Sequence, residues 1–207
     1  MMQKFSALPF TLAAAAMLTA CGGATTEETP AETEQEIEDV VVGDQPGPAI
    51  GDRAPVDLEL ANAAGEAATV ASLADEKGTI LVFTRSVDWC PFCQAQLKGL
   101  SDIASDIADS GYTLAGVSYD PTASLAAFAE EQKVEYLLLS DEGSKLIDAF
   151  NIRDPQYADP ESRAYGVPYA SIFVLDPEGV VLAKSVSADY KVRPTNDEVK
   201  KLIESVG

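Results

Sequence analysis

The sequence contains no histidine and only three cysteines, Cys21, Cys90 and Cys93. Without histidine, acid-base catalysis and metal binding by imidazole are excluded. Basic residues are scarce as well, because 14 Lys and Arg stand against 34 Asp and Glu, for a net charge of −20. A nucleic-acid partner would need a dense basic patch, and the sequence has none. These absences argue against nucleic-acid binding and leave cysteine chemistry as the candidate activity.

The first 20 residues place Lys4 ahead of an apolar run that is too short to span a bilayer, as in a secretory signal peptide. The run ends in Leu18-Thr19-Ala20-Cys21, which resembles the lipobox of bacterial lipoproteins, where the cysteine is diacylated and the chain is cut just before it. The resemblance implies export and a lipid anchor on Cys21 in the bacterial cell envelope, with the rest of the chain in the periplasm. The alternative is a plain cleaved signal peptide with an incidental cysteine.

The next segment, residues 21–50, carries eight acidic residues and no Lys or Arg. Such a stretch repels itself and buries too little apolar surface to fold. We therefore predict a disordered acidic tether over residues 21–50, with an acidic docking tail as the alternative. Residues 51–207 form one predicted domain, which is itself acidic, with 26 acids against 13 bases.

Within the domain, short apolar runs alternate with helical patterns. Predicted strands cover Val56–Leu60, Thr69–Val70, Ile80–Phe83, Leu114–Tyr119, Tyr136–Leu139, Ile172–Leu175 and Val180–Ala183. The first predicted helix runs from Pro91 to near Gly111, and the second begins at Pro121 with Asp120 as its N-cap residue. A short third helix is predicted around Leu146–Phe150, and the last begins at a capping box formed by Thr195–Glu198. This order predicts an α/β fold with a mixed central sheet flanked by helices and an N-terminal β extension.

Cys90 and Cys93 lie where a buried strand gives way to the helix that begins at Pro91. Free N–H groups and the helix dipole favour an anion there, which makes Cys90 the predicted attacking thiolate. Cys93, one turn further on, is the predicted resolving thiol. A structural disulfide and half of a zinc site are the alternatives. The first would close only a small loop, and the second lacks ligands, so no metal and no cofactor are expected.

Three further segments carry a resemblance to a known family: Gly51–Pro55, Asp88–Cys93 and Gly166–Pro168. Together they resemble the thioredoxin superfamily, and within it the alkyl hydroperoxide reductase/thiol-specific antioxidant (redoxin) branch. The resemblance implies a thioredoxin fold in which a cis Val167-Pro168 bond lies against the cysteine pair and binds substrate with Trp89. The alternatives are an ordinary loop proline at 168 and a half-buried packing role for Trp89.

The chain also departs from this branch. Its peroxidases place a Thr three residues before the attacking cysteine and an Arg downstream, whereas this chain has Val87 and Ala170 at those positions. Thr84 stands where thioredoxins bury a carboxylate, and Thr84 or Arg85 is the candidate substitute for the missing donors.

These features favour a membrane-tethered thiol-disulfide oxidoreductase. Its expected partners are protein or small-molecule thiols and disulfides, together with a thioredoxin-like electron donor. One alternative is a thiol-dependent peroxidase with antioxidant activity. The other is a non-catalytic binding or metal-delivery module on the same fold.

Overall fold

The computed structural model describes residues 45–207. The predicted signal peptide, Cys21 and most of the tether therefore lie outside the described residues. At the start of the described part, Lys184 Nζ donates to the carbonyl oxygens of Gln45, Pro46 and Gly47 at 3.1 to 3.4 Å. This end of the predicted tether thus lies against the domain. Between residues 45 and 207 no helix is long and apolar enough to cross a membrane.

Strands and helices alternate along residues 45–207. The strands are β1 (Leu60–Asn62), β2 (Ala67–Ala68), β3 (Gly78–Phe83), β4 (Tyr112–Ser118), β5 (Leu137–Ser140), β6 (Ala170–Leu175) and β7 (Val181–Ser187). The helices are α1 (Val70–Leu73), α2 (Pro91–Leu100), α3 (Ala104–Asp109), α4 (Thr122–Gln132), α5 (Lys145–Ala149) and α6 (Asn196–Glu204). A 3-10 turn covers Pro155–Tyr157.

The strands form one sheet in the order β2-β1-β5-β4-β3-β6-β7. Strands β3, β4 and β5 are parallel, whereas β6 and β7 on one side and β1 and β2 on the other pair antiparallel. The predicted α/β fold with a mixed central sheet is therefore confirmed.

The core lies on both faces of β3, which is buried at all six positions. Alternate side chains of a strand point to opposite faces of the sheet. Accordingly, Ile80 and Val82 belong to the cluster that contains Leu97, while Leu81 and Phe83 belong to the other cluster. This double burial explains the continuous apolar run in the sequence and holds the carboxyl end of β3 rigidly where α2 begins.

The predicted helix from Pro91 to Gly111 is interrupted between α2 and α3, which corrects the sequence prediction. Tyr136 donates its hydroxyl to the Leu97 carbonyl at 2.6 Å, and the Asn196 amide donates to the Gly99 carbonyl at 2.9 Å. The last turn of α2 therefore exposes its carbonyl groups to side chains from elsewhere, and the backbone N–H groups after it bond three residues back instead of four.

A second correction concerns Asp120, which was predicted to cap the next helix. Pro121 is the N-cap residue of α4, with no side-chain cap. The Asp120 carboxylate points to the loop after β3, where it accepts hydrogen bonds from Ser86 Oγ at 2.8 Å and from the Val87 N–H at 2.7 Å. Asp120 thus binds a backbone group 33 residues away instead of capping the helix that follows it.

The N-terminal hairpin differs from the prediction: its first strand is shorter and begins later, and its second strand lies earlier than Thr69–Val70. Val56 lies in a turn, and its carbonyl accepts the Ala71 N–H of α1 instead of pairing with a strand. Thr69 is the N-cap of α1, with its side chain accepting from the Ser72 N–H. Gly65, with φ of +82°, lies in the turn between the two strands.

Candidate active site

A disulfide between Cys90 and Cys93 lies at the start of α2, with sulfurs 2.11 Å apart. Cys90 is the N-cap residue of this helix, and its sulfur accepts the Cys93 N–H at 3.3 Å. Pro91 occupies the first helical position, where its missing N–H leaves no bond unmade. The prediction that α2 begins at Pro91 is confirmed, and the Cys90 sulfur stands at the positive end of the helix dipole.

Both cysteines of the disulfide are buried, Cys90 at 1% exposure and Cys93 at 0%. Phe92, between them, is 40% exposed, and its ring packs edge-on against the Tyr190 ring at 5.8 Å. A thiol that attacks the pair must therefore move side chains around it. The surface above the disulfide is aromatic.

Asp120 fixes the loop that carries Cys90. Its carboxylate accepts from the Ser86 hydroxyl, from the Val87 N–H and, through a short bond, from the Ser118 hydroxyl. Burial raises the pKa of Asp120, and these hydrogen bonds act in the opposite direction. The sequence analysis missed this role because a carboxylate before a proline also fits a helix cap.

Trp89 is half-buried beside Cys90 and anchored by its ring nitrogen. Its Nε1 donates to Tyr119 Oη at 3.1 Å, and Tyr119 in turn donates to the Arg163 carbonyl at 2.5 Å. The guanidinium of Arg85 lies 5.2 Å from the Trp89 ring centroid, and that of Arg163 lies 5.0 Å from it. Two cations therefore lie close to the Trp89 ring, and its predicted role in binding a partner stays a prediction.

Arg85 is almost fully buried, at 2% exposure. Its guanidinium carbon lies 4.1 Å from the Tyr157 ring centroid and 4.0 Å from the Tyr190 ring centroid. Two aromatic rings stabilise the cation by their electron-rich faces. Its Nε has no hydrogen-bond partner among the described residues. Arg85 is therefore a cation with an unused donor near the cysteine pair.

Arg193 brings a second guanidinium to the pair, and the sequence analysis missed this contact as well. Its Nη2 lies 3.2 Å from the Cys93 sulfur. Burial and, after it, the charge of Arg85 lower the pKa of Arg193 to about 10. The two residues are 100 positions apart, so no local periodicity or spacing could have indicated the contact.

Val167 and Pro168 are both buried, and a neighbouring segment pairs with them. The Val167 carbonyl accepts a hydrogen bond from the Asp154 N–H at 2.9 Å, and the backbones of Arg153 and Pro168 form an isolated antiparallel β-bridge. The Val167 N–H bonds to the Ala164 carbonyl at 3.3 Å. A peptide that used the backbone of Val167 would have to displace one of these bonds, and the predicted substrate-binding role of the two residues stays a prediction.

At the positions that depart from the family pattern, no side chain donates a hydrogen bond to the cysteine pair. Val87 and Ala170 are buried apolar side chains. The Thr84 hydroxyl is buried without a hydrogen-bond partner, and its N–H pairs with the Val117 carbonyl of β4. Asp88 is exposed and accepts from Ser124 Oγ at 2.9 Å. In the part of the chain that the structure describes, no group of three or more potential ligands could hold a metal ion.

A Cys-x-x-Cys disulfide at the N-terminus of the helix that follows an interior strand of a mixed sheet defines a thiol oxidoreductase of the thioredoxin-fold class. Comparison with known proteins narrows this class. The AhpC/TSA family matches residues 50–184, a range that contains Cys90 and Cys93. The chain belongs to the AhpC/TSA family, and it is a peroxiredoxin-like thiol-dependent oxidoreductase.

Individual relatives agree with this assignment. The chain is 27% identical over 151 residues to the peroxiredoxin Bcp of Escherichia coli (strain K12), covering 66% of this chain and 92% of that protein. It is 25% identical over 168 residues to a 1-Cys peroxiredoxin of Hordeum vulgare, covering 78% and 74%. The crystal structure of peroxidoxin BcpB from Mycobacterium tuberculosis superposes with a TM-score of 0.63 at 22% identity, covering 78% of this chain and 97% of that one. This last likeness supports the fold alone.

Proposed function

We propose that the protein is a thiol-disulfide oxidoreductase in which Cys90 and Cys93 form the redox pair, exported and tethered to the membrane through a lipid on Cys21. The observation that carries the redox proposal is the disulfide at the start of α2, with Cys90 as the N-cap residue. The N-terminal helix dipole favours the Cys90 thiolate, which is the nucleophile in disulfide exchange.

In the proposed cycle, the Cys90 thiolate attacks one sulfur of a substrate disulfide. The substrate bond breaks, its electron pair leaves on the other substrate sulfur, and a mixed disulfide joins Cys90 to the substrate. Cys93 then attacks Cys90, releases the substrate as a dithiol and closes the internal disulfide. A thioredoxin-like dithiol donor restores the reduced pair, so two electrons pass from donor to substrate.

Trapping of the mixed disulfide tests this cycle. In the Cys93→Ser variant the second attack is lost, so a disulfide between Cys90 and its partner should accumulate and be visible by non-reducing electrophoresis and mass spectrometry. The matched control is Cys90→Ser, which should trap nothing. Trapping through Cys93 in the control, with none through Cys90, would reverse the two roles. The wild type should also reduce insulin disulfides.

Peroxide reduction is the second candidate, and the cations beside the pair favour it. Peroxide cleavage needs donors for the leaving oxygen, and the loss of one such donor elsewhere costs ~10² to 10³ in rate. The chain lacks the family's Thr and Arg positions, but Arg85 has an unused buried donor and Arg193 lies at the Cys93 sulfur. In this reaction Cys90 would take one peroxide oxygen as a sulfenic acid and release an alcohol or water. Cys93 would then expel water and form the disulfide.

Stopped-flow tryptophan fluorescence separates the two candidates, because Trp89 adjoins the reacting sulfur. If disulfide exchange is the function, hydrogen peroxide should oxidise the reduced protein hardly faster than it oxidises a free thiolate, and Arg85→Met should leave that rate unchanged. A rate several orders of magnitude higher that falls about 10² or more in Arg85→Met would establish the peroxidase instead. Lys98→Met, an exposed cation at the other end of α2, is the matched control.

A further inference from the structure

Arg193 is held in one orientation by three contacts. Its Nε donates to the Tyr190 carbonyl at 2.8 Å and its Nη1 donates to Gln96 Oε1 at 3.0 Å. These two neutral acceptors use two sides of the planar guanidinium and direct the third, Nη2, at the Cys93 sulfur, 3.2 Å away. A fork held in this way loses little further freedom when it binds a charge.

Among the residues that the structure describes, no carboxylate forms an ion pair with this guanidinium. The ion pairs within residues 45–207 are Arg53–Asp57, Arg153–Asp148 and Lys200–Asp106. Charges withdrawn from water are normally paired, and the half-buried Arg193 instead has a second cation, Arg85, close enough to disturb its titration. Of the three groups that accept its hydrogen bonds, only the Cys93 sulfur can become an anion, and it does so when the disulfide is reduced.

We propose that Arg193 is a positioning residue that binds the Cys93 sulfur as a thiolate and makes Cys93 the leaving group when a dithiol attacks Cys90. The idea rests on the proposed disulfide exchange. The donor thiolate forms a bond to the Cys90 sulfur, the Cys90–Cys93 bond breaks, and its electron pair moves to Cys93 beside the guanidinium. The donor's second thiol then attacks the mixed disulfide, which oxidises the donor and leaves both protein sulfurs reduced.

Two different sources of positive charge then stabilise the two thiolates. The N-terminus of α2 stabilises the Cys90 thiolate, and the Arg193 guanidinium stabilises the Cys93 thiolate. A more stable thiolate leaves faster, so Arg193 speeds reduction of the disulfide at Cys90. It also stabilises the reduced pair, which moves the redox equilibrium towards the dithiol.

The first test uses one thiol at a time in the full chain. The ultraviolet absorbance of the thiolate is measured against pH in Cys90→Ser and in Cys90→Ser/Cys93→Ser. The difference between the two curves gives the titration of Cys93, because the contribution of Cys21 cancels. Adding Arg193→Met should lower the thiolate fraction about tenfold at a given pH, the scale of one hydrogen bond to a charge. Lys191→Met, which removes one exposed charge from the same segment, should change little.

The second test measures the equilibrium of the intact pair with dithiothreitol by mass spectrometry. Arg193→Met should shift the constant about tenfold towards the protein disulfide, or about 30 mV for two electrons. It should also slow reduction by dithiothreitol, whereas Lys191→Met should do neither. The proposal is overturned if Arg193→Met matches Lys191→Met in both the titration and the equilibrium.

Two further results keep the outcomes distinct. If Arg193→Met loses the fold by circular dichroism, Gln96→Leu decides, because it frees Nη1 and should lower the Cys93 thiolate fraction several-fold. An unchanged fraction in a folded Gln96→Leu variant then overturns the proposal. If the wild type fails to reduce insulin while the Cys93 titration still depends on Arg193, the proposed exchange function is wrong and the inference on Arg193 stands.

Discussion

At the scale of single residues, the site depends on charged groups that are buried or half-buried. Asp120, Arg85 and Arg193 surround the loop and helix that carry the disulfide, and none of them stands next to a cysteine in sequence. Their charges are tolerated because hydrogen bonds or aromatic rings replace the lost water.

Replacement of Asp120 by Asn should destabilise the protein by about 1 to 3 kcal/mol, because a buried donor is then left without an acceptor. The Asp120 carboxylate accepts three hydrogen bonds, from the Val87 N–H and from two serine hydroxyls. An asparagine amide has only one acceptor oxygen, so it cannot accept all three. Urea unfolding measures the loss. Disulfide exchange should slow as well, since the loop before Cys90 loosens.

The control is Asp88→Asn, which removes a carboxylate from the same loop that is exposed and bonded to Ser124. It should change the free energy of unfolding by less than about 0.5 kcal/mol. An Asp120→Asn variant as stable as Asp88→Asn would show that the carboxylate does not hold the loop.

At the scale of elements, the sequence predicts those whose signals are local. The Pro91 start of α2 and the capping box of α6 are confirmed, because a proline or a cap acts within one turn. The apolar run of β3 is confirmed for a similar reason, since burial on both faces demands it.

The remainder of the fold depends on long-range contacts. Helix α2 ends early because Tyr136 and Asn196 donate hydrogen bonds to its last carbonyl groups. Asp120 does not cap α4, because its carboxylate accepts hydrogen bonds from the loop after β3. The same holds for the candidate site. The cysteine pair could be predicted from spacing, whereas the contact of Arg193 with Cys93 depends on the packing of the segment before α6 against α2.

The capping box of α6 predicts a specific dependence on pH. Backbone and side-chain hydrogen bonds from Thr195 lower the pKa of Glu198 below its unfolded value. The charged cap therefore contributes stability above the unfolded pKa, and this contribution disappears as the pH falls through the folded pKa. Glu198→Gln should be less stable than wild type by about 0.5 kcal/mol at pH 7 and equally stable in acid.

Urea unfolding of both proteins across the acid range measures this difference. Asp197→Asn is the matched control, because it removes a first-turn acid of the same helix that makes no cap bond. Its difference from wild type should reflect only the helix dipole. A Glu198→Gln deficit that persists unchanged below the folded pKa would contradict the prediction.

At the scale of the whole molecule, the chain is predicted to combine a lipid anchor, an acidic tether and the redox domain. Wild-type protein should fractionate with membranes and incorporate a labelled fatty acid. Cys21→Ser should do neither and should keep full disulfide exchange in the soluble domain, because Cys21 lies outside the redox pair. The control Cys90→Ser/Cys93→Ser should stay acylated and inactive. Acylation of the Cys21→Ser variant would contradict the lipobox prediction.

The charges of the molecule are unevenly placed. The chain carries a net charge of −20, yet Arg85, Arg163, Lys191 and Arg193 gather around Trp89, Tyr190 and the disulfide. A local cluster of positive charge therefore lies around the redox pair of an acidic protein. An acidic disulfide substrate should be steered towards that cluster, and a basic one should be turned away.

Ionic strength should therefore change the rate at which the protein meets a charged disulfide substrate. Second-order exchange with an acidic disulfide peptide should slow markedly as salt shortens the Debye length from ~30 Å at 0.01 M to ~8 Å at 0.15 M, while exchange with a neutral peptide of equal length should stay nearly constant. If salt instead speeds exchange with the acidic peptide, the net charge of −20 governs approach and the steering prediction is wrong. If salt slows that exchange, the local arrangement of four cations allows a strongly acidic protein to select acidic partners.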